Sequence, residues 1–170
     1  MNYLKITGPD IENGLGCRIT LWIAGCSHHC KGCHNPETWD YNQGETLNSA
    51  LNEILTKLNH SYIQGLTLSG GDPLAQTEES LKELLSFIKQ IKEKFPDKDI
   101  WIYSGDVWEN LIKDDNKLNI LKQCDVLIDG SFILEQRDIS LAFRGSSNQR
   151  IIDIQKSLRN KKICIFKNVY

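Results

Sequence analysis

The sequence of 170 residues carries a formal net charge of −2, with 20 basic and 22 acidic side chains. A chain of this length can bury one hydrophobic core without disulfides or metals, so we expect a single domain over residues 1–170. The small net charge argues against non-specific binding to nucleic acid or to an anionic membrane, and no apolar run reaches the length of a membrane span. The opening residues lack the basic flank and apolar centre of a signal peptide, which predicts a cytoplasmic location.

Short runs rich in β-branched and aromatic residues predict the strands of the fold. The first run, RITLWIA, ends at Gly25, and the second, LTLS, ends at Gly70. Glycine-containing polar segments also follow the third and fourth runs. The four predicted strands cover residues 18–24, 66–69, 100–103 and 126–128, and two further candidates cover 151–154 and 163–166.

Segments with helical periodicity separate these strands. Apolar residues recur with helical spacing over 47–58, which predicts a helix with Thr46 as its N-cap. A second helix is predicted to begin near Thr77 and to stop before Pro96, and a third helical region covers 107–123. Strands that alternate with helices predict an α/β fold built from parallel β/α units.

Polar or reactive side chains follow these strands at the points where they end. In parallel β/α folds the carboxyl ends of the strands lie on one side, and ligands bind there. We therefore expect the cysteine-containing loop after the first strand, the Gly70-Gly71-Asp72 loop, Ser104 and Asp129 to converge on one site.

Cys26, Cys30 and Cys33 form a C-x3-C-x2-C motif in the stretch GCSHHCKGCHN. Three thiolates can hold three irons of a cubane iron–sulfur cluster and leave the fourth iron free to bind a ligand. A structural zinc site completed by a neighbouring histidine is the alternative, but zinc sites usually combine two ligand pairs separated by a long spacer. A simple electron carrier is a further alternative, although it would have no use for the Gly-Gly-Asp loop.

The other cysteines are scattered along the chain. Cys17, Cys124 and Cys164 lie in apolar or mixed segments, and we predict that they are buried thiols without a chemical role.

Four histidines complete the set of possible ligands. His28 and His29 lie between the first two cysteines, where we expect them to be solvated or to form hydrogen bonds rather than to tune a redox potential. His34 directly follows the third cysteine and is expected to border a bound ligand, whereas His60 is expected at the surface.

Two polar loops are candidate ligand sites. An ordinary tight turn would also use Gly70-Gly71, but two glycines let the backbone approach a ligand closely, and Asp72 can accept a hydrogen bond from a cationic amine. The RGSSNQ segment that begins at Arg144 has the composition of an exposed loop. Arg144 could pair with a carboxylate of a ligand or of a partner protein.

Five segments together resemble the activating proteins of anaerobic ribonucleoside-triphosphate reductases, which are radical S-adenosylmethionine (SAM) enzymes. These segments are GCSHHCKGCHNPETW, LTLSGGDPL, DIWIYSG, VLIDGSF and FRGSSNQRIID, and the resemblance runs from about Asp10 to about Gln155. It implies an open, incomplete parallel β/α barrel of the radical SAM type and a 4Fe-4S cluster on Cys26, Cys30 and Cys33. The residues implied to bind SAM beside the cluster are Gly32, Cys33, His34, Gly70, Gly71, Asp72 and Ser104.

Two of these residues depart from the wider radical SAM pattern. Asp72 stands where many radical SAM enzymes have a longer glutamate, and Gly32 stands where most have an aromatic residue. Glycine at the second position is common in the activating proteins themselves.

The resemblance also implies a reaction and its partners. Reduced flavodoxin or a similar donor supplies one electron, and SAM is cleaved to methionine and a 5′-deoxyadenosyl radical. That radical removes a hydrogen atom from a backbone glycine in the large subunit of the reductase, with no side chain as general acid or base. Residues 35–46 and 130–150 are predicted to border the mouth through which the reductase reaches the site. Activation of another glycyl-radical enzyme, such as pyruvate formate-lyase, is the alternative of the same chemical class.

Overall fold

A seven-stranded sheet forms the centre of the fold in a computed structural model, which describes residues 1–167. The helices and the sheet make up a single α/β domain. The strands are β1 Asn2–Asp10, β2 Cys17–Ile23, β3 Glu45–Thr46, β4 Ile63–Gly70, β5 Asp99–Tyr103, β6 Val126–Asp129 and β7 Arg150–Asp153.

The strand order is β3-β1-β2-β4-β5-β6-β7. The four strands predicted from the first four apolar runs are β2, β4, β5 and β6, and they form a continuous parallel block. The other three strands pair antiparallel, β1 with β2 and β3 on one side and β7 with β6 on the other. The sheet is therefore mixed, and the expectation of an all-parallel arrangement holds only for its central strands.

Two strands were absent from the sequence prediction. The residues of β1 alternate poorly between apolar and polar, and most of them are only partly buried. This strand is stabilised by its pairing with β2, from Tyr3 opposite Ile23 to Asp10 opposite Arg18. The two-residue strand β3 is exposed and pairs only with the start of β1. Long-range pairing of this kind leaves little local signal in the sequence.

The helices match the predicted segments with corrections at their ends. Thr77 caps the second helix, since its side chain accepts a hydrogen bond from the amide of Ser80, as predicted. Thr46 stands at the N-cap of the 3₁₀ turn Leu47–Ala50 that leads into the first helix, as predicted, but its side chain forms no capping hydrogen bond. The helices are α1 Leu51–Leu58, α2 Glu78–Lys94, α3 Trp108–Leu111, α4 Asp115–Leu121 and α5 Ile154–Asn160.

The predicted helical region over 107–123 is two short helices rather than one. Asp114 interrupts it, because its side chain accepts hydrogen bonds from the amides of Asn116 and Lys117 and so begins a new helix. None of the helices of residues 1–167 is both long and apolar enough to cross a membrane.

The two faces of the sheet differ in chemical character because successive side chains of a strand point to opposite sides. One face is aliphatic and packs with helical residues such as Ile54 and Phe87 into the main core. The other face carries polar groups on the same strands and borders the cavity described below. The aliphatic face includes Ile19, Leu21, Leu66, Leu68, Ile100, Ile102, Leu127 and Ile152, and the other face includes Arg18, Thr20, Thr67, Ser69 and Tyr103.

Arg18 lies fully buried on the polar face and joins three strands. Its Nε donates to the Thr67 hydroxyl at 2.8 Å, and Nη2 donates to the carbonyl of Leu66 at 2.8 Å. Nη1 forms an ion pair with Asp99 at 2.5 Å, and the guanidinium also lies over the Trp101 ring. The charge is thus compensated by several partners, as a buried cation requires.

The segment 163–166 does not form the predicted strand, but it packs against the sheet as expected. Ile165 makes a single bridge to Ile152, and Phe166 packs edge-on against Trp101, with the ring centroids 5.5 Å apart. The packing predicted from the apolar run 163–166 is therefore confirmed for Ile163 and Phe166, and residues 168–170 lie outside the described part of the chain.

Candidate functional site

The three motif cysteines lie in the loop that leaves the carboxyl end of β2. Cys26, Cys30 and Cys33 are each partly buried, and all three line one cavity of about 640 Å³. The loop is fixed by the segment that follows it, since the amide of Gly25 donates to Thr38 at 2.7 Å and the amide of Cys26 donates to Trp39 at 3.2 Å. Backbone hydrogen bonds thus join the start of the cysteine loop to the segment that follows it.

The chemistry of these donors fits an iron–sulfur cluster. The amide of Asn35 donates to the sulfur of Cys33 at 3.4 Å, a contact that stabilises negative charge on a ligating sulfur. Burial raises the pKa of the Cys26 thiol, while hydrogen bonds from the backbone at His28 and His29 lower it. Within residues 1–167, no three His, Cys, Asp or Glu side chains are gathered around a single point as one metal ion would require. A cubane cluster does not need such a point, because each thiolate binds its own iron.

Gly32 lies in the left-handed region, with φ of +75°. L-residues with a side chain adopt this conformation at an energetic cost, whereas glycine does not. A Cβ atom here would also stand 3.0 Å from a methyl carbon of Leu134. The backbone of this loop therefore favours glycine at this position.

The Gly-Gly-Asp loop packs directly against the start of the cysteine loop. The amide of Gly71 donates to Ile23 at 2.8 Å, and the amide of Asp72 donates to Gly25 at 2.9 Å. A Cβ atom on Gly71 would stand only 2.3 Å from the carbonyl oxygen of Gly25. The two loops thus meet backbone to backbone.

The Asp72 carboxylate is buried, with only 1% of the residue exposed. Its Oδ1 accepts from the amides of Leu74 and Ala75 at 2.8 and 3.1 Å. Its Oδ2 accepts from the hydroxyl of Ser104 at 3.0 Å and the amide of Gly105 at 2.9 Å, and it lies 2.9 Å from Nε2 of His28. This one side chain connects the loops that follow β2, β4 and β5.

His28 therefore has a hydrogen-bonding role, as predicted. Its pKa is raised by the hydrogen bond to Asp72, against an opposing effect of burial. The other two histidines of the motif region are exposed and lie against aromatic rings in tilted contacts. The ring centroids of His29 and Trp39 are 4.6 Å apart, and those of His34 and Phe132 are 5.2 Å apart. The sequence did not indicate either aromatic partner.

Gly32 does not line the cavity, and neither does Asp129, which was expected at the site. Its carboxylate pairs with Arg150 and accepts a hydrogen bond from the amide of Trp108 at 2.8 Å. Arg150 also binds Glu109, whose pKa falls to about 2 through this contact. The next residue, Gly130, does line the cavity, so the expected convergence is correct for the three loops and wrong for the Asp129 side chain.

The cavity is bordered by the two segments predicted to form its mouth. Residues of 35–39 and of 130–149 line it, including Trp39, Phe132 and Arg144. The second segment is anchored to the sheet, since the Tyr103 hydroxyl donates to the carbonyl of Phe143 at 2.7 Å. Near its tip, Ile139 is 90% exposed. An apolar side chain so exposed beside a cavity is available for contact with another molecule.

Comparison with known proteins assigns this site to a family. Residues 12–152 match the family model described as "4Fe-4S single cluster domain". A relative from Haemophilus influenzae named anaerobic ribonucleoside-triphosphate reductase-activating protein is 44% identical over 154 residues, which is 89% of this chain and 97% of that protein. The chain belongs to this family of activating proteins.

Other members of the family show similar likeness. The activating protein of Enterobacteria phage T4 is 43% identical over 89% of this chain and 93% of its own length. That of Escherichia coli (strain K12) is 39% identical over 88% of this chain and 96% of its own length. Membership of the family supports an iron–sulfur cluster, and the cysteines that line the cavity are the residues able to hold it.

The cysteines outside the motif take no part in this site. All six cysteines of the chain are free thiols. Cys124 is fully buried, which raises the pKa of its thiol and agrees with the prediction. Cys17 and Cys164 are only partly buried, so the prediction that they are buried thiols was wrong for these two.

Proposed function

We propose that this protein is a SAM-dependent activase that installs a glycyl radical on an anaerobic ribonucleoside-triphosphate reductase. The relatives that match most of its length are named as activating proteins of that reductase. The reductase large subunit is accordingly the proposed partner, and reduced flavodoxin or a similar low-potential donor is the proposed source of the electron.

The observation that carries this proposal is the meeting of three loops on one cavity. The three-cysteine loop, the Gly-Gly-Asp loop and the Ser104-Gly105 loop all line the same space of about 640 Å³. A space of this size can hold a cluster together with a ligand of SAM's size. A zinc module or a simple electron carrier would need no room for a ligand beside its metal. The cavity also opens beside apolar, exposed residues, which suits a substrate that is itself a protein.

Cys26, Cys30 and Cys33 are proposed to bind the cluster. A 4Fe-4S cluster with one iron free of cysteine supplies, when bound, the electron that cleaves SAM to methionine and a 5′-deoxyadenosyl radical. Gly32, Cys33 and His34 belong to the cysteine loop, and Cys33 and His34 line the cavity together with Gly70 and Gly71. We propose that SAM lies between these two stretches of backbone.

The remaining work of the chain is positioning and the exclusion of water. Residues 35–46 and 130–150 are proposed to receive the glycine-bearing segment of the reductase. A hydrogen atom moves between carbon centres in this reaction, so no side chain need act as a general acid or base.

SAM cleavage by the reconstituted protein tests this function. The protein is purified without oxygen, loaded with iron and sulfide, reduced and assayed for 5′-deoxyadenosine and methionine. Cys30→Ala is expected to abolish cleavage. Cys164→Ala is the matched control, because that cysteine is partly buried but lies outside the cavity lining, and it should leave cleavage unchanged.

A second measurement identifies the partner. Incubation with the reductase large subunit and SAM should produce a glycyl radical detectable by electron paramagnetic resonance. A radical on pyruvate formate-lyase instead would favour the alternative activase, and a colourless protein that holds zinc and cleaves no SAM would overturn the proposal.

A further inference from the structure

The carboxylate of Asp72 has no acceptor position left for a ligand. An ionised carboxylate offers about four lone-pair sites on two oxygens. Two backbone amides occupy Oδ1, and the Ser104 hydroxyl, the Gly105 amide and His28 surround Oδ2, all within 3.1 Å. The residue is also 1% exposed, so the group is both saturated and covered.

We propose that Asp72 is a positioning residue that ties the cluster-binding loop to the two loops beside it, and that it does not hold the amino group of SAM. The part of this inference that concerns SAM rests on the proposed function. The part that concerns the loops rests on contacts within the chain.

His28 is the link through which Asp72 acts on the cysteines. It lies two residues from both Cys26 and Cys30, so its attachment to a buried carboxylate restrains the backbone between these two ligands. The same imidazole is packed against Gly105, where an added Cβ would stand 2.5 Å from the ring. The loop after β5 therefore buttresses His28 while it binds Asp72.

Replacement of Asp72 by asparagine removes this restraint without a change of size. One of the two oxygens becomes an NH₂ group, which cannot accept a hydrogen bond, so one set of donors loses its partner in a buried place. The cysteine loop then samples conformations in which its thiolates bind the cluster less well, and the cluster is lost more easily.

The first experiment measures how fast the loaded protein loses its cluster to a chelator, followed by visible absorbance. Asp72→Asn and His28→Ala should each speed the loss by about tenfold, since hydrogen bonds to charged groups are involved. The double variant should be no faster than Asp72→Asn alone, because both changes break the same connection. Asp129→Asn is the control: that carboxylate is equally buried but pairs with Arg150 away from the cavity.

The second experiment separates positioning from direct contact. Dissociation constants for SAM and for its analogue without the amino group are measured on the loaded Asp72→Asn variant and on the parent. If Asp72 acts by positioning, the substitution raises both dissociation constants by the same factor. If Asp72 binds the amino group directly, the substitution weakens the binding of SAM but not that of the analogue, and the inference is overturned.

The two experiments also distinguish this inference from the proposed function. A parent protein that binds no SAM would refute the function, and the rate of cluster loss would still decide whether Asp72 holds the loops together. An Asp72→Asn variant that keeps its cluster as long as Asp129→Asn does would refute the positioning role. Should Asp72→Asn fail to fold, His28→Ala and Ser104→Ala each remove a single donor to Oδ2, and a normal rate of cluster loss in both would have the same meaning.

Discussion

At the scale of single residues, the site depends on glycines, because the loops approach each other where a Cβ atom would not fit. The contact between the Gly-Gly-Asp loop and the cysteine loop exists because Gly71 has no Cβ. The sequence indicated these glycines as a possible approach to a ligand. In the structure, the closest approach at Gly71 is to the backbone of Gly25, within the protein itself.

Gly71→Ala is therefore expected to destabilise the protein by about 1–3 kcal/mol, because the new methyl group must displace backbone rather than a mobile side chain. Urea unfolding of the full chain measures this effect. Gly145→Ala is the matched control, since the nearest neighbours of a Cβ there are side-chain atoms of Phe132 and His34 rather than backbone. Equal losses in the two variants would contradict the argument.

At the scale of elements, each functional loop is fixed by a neighbour that is distant in sequence. The cysteine loop is held by residues 38–39 and by Asp72, and the 130–149 segment is held by the Tyr103 hydroxyl. The loops are long and irregular, so their shapes depend on these contacts rather than on local propensity. Between its anchors, the segment carries Ile139 outward beside the cavity.

Ile139→Asp is expected to weaken binding of the reductase large subunit by about tenfold or more, because a charge replaces an apolar contact at the proposed interface. Isothermal titration calorimetry with the loaded protein measures this affinity. The visible spectrum of the cluster should not change, and its loss would refute the assignment of this residue to partner binding.

Tyr62→Asp is the matched control for that experiment. Tyr62 is 60% exposed but precedes β4, at the opposite end of the strand from the Gly-Gly-Asp loop. A comparable loss of affinity in this variant would mean that the interface is not at the mouth of the cavity.

At the scale of the whole molecule, the sheet separates an aliphatic core from a polar face. Helices cover the first face, and the cavity lies against the second. Buried polar groups on that second face must be paired, and Arg18 satisfies this requirement by joining β2, β4 and the start of β5. This second face also carries a smaller hydrophobic cluster, formed by Trp101, Val126, Ile128 and Ile151, so the polar network and an apolar patch share it.

Arg18→Met should destabilise the protein by about 3 kcal/mol, because removal of one partner from a buried charged network leaves the other groups unpaired. The free energy of urea unfolding is the measurement. Lys82→Met, which removes an exposed ion pair with Glu78 on α2, should change it little. An Arg18→Met variant as stable as the parent would show that the network is dispensable.

Much of the fold was predictable because its central strands and longest helix have local signals. The β-branched run of β2 and the capping residue Thr77 are examples that the structure confirms. The antiparallel strands at the edges were not predictable in the same way, because β1 forms through pairing with β2 rather than through an apolar pattern of its own. Asp114 also shows that a single side chain can divide a helical region that looks continuous in the sequence.

The sequence by itself determined the chemistry available to this protein: three closely spaced thiols, a loop of two glycines, and polar residues at the ends of parallel strands. Those features depend on residue type and spacing, which the chain carries locally. Only the tertiary structure decided how the polar residues are used. Asp72 and Asp129 both follow a strand, yet one ties three loops at the cavity while the other pairs with Arg150 outside it. The difference comes from which distant donors the fold brings within hydrogen-bonding distance of each carboxylate: Ser104 and Gly105 for Asp72, and Arg150 for Asp129.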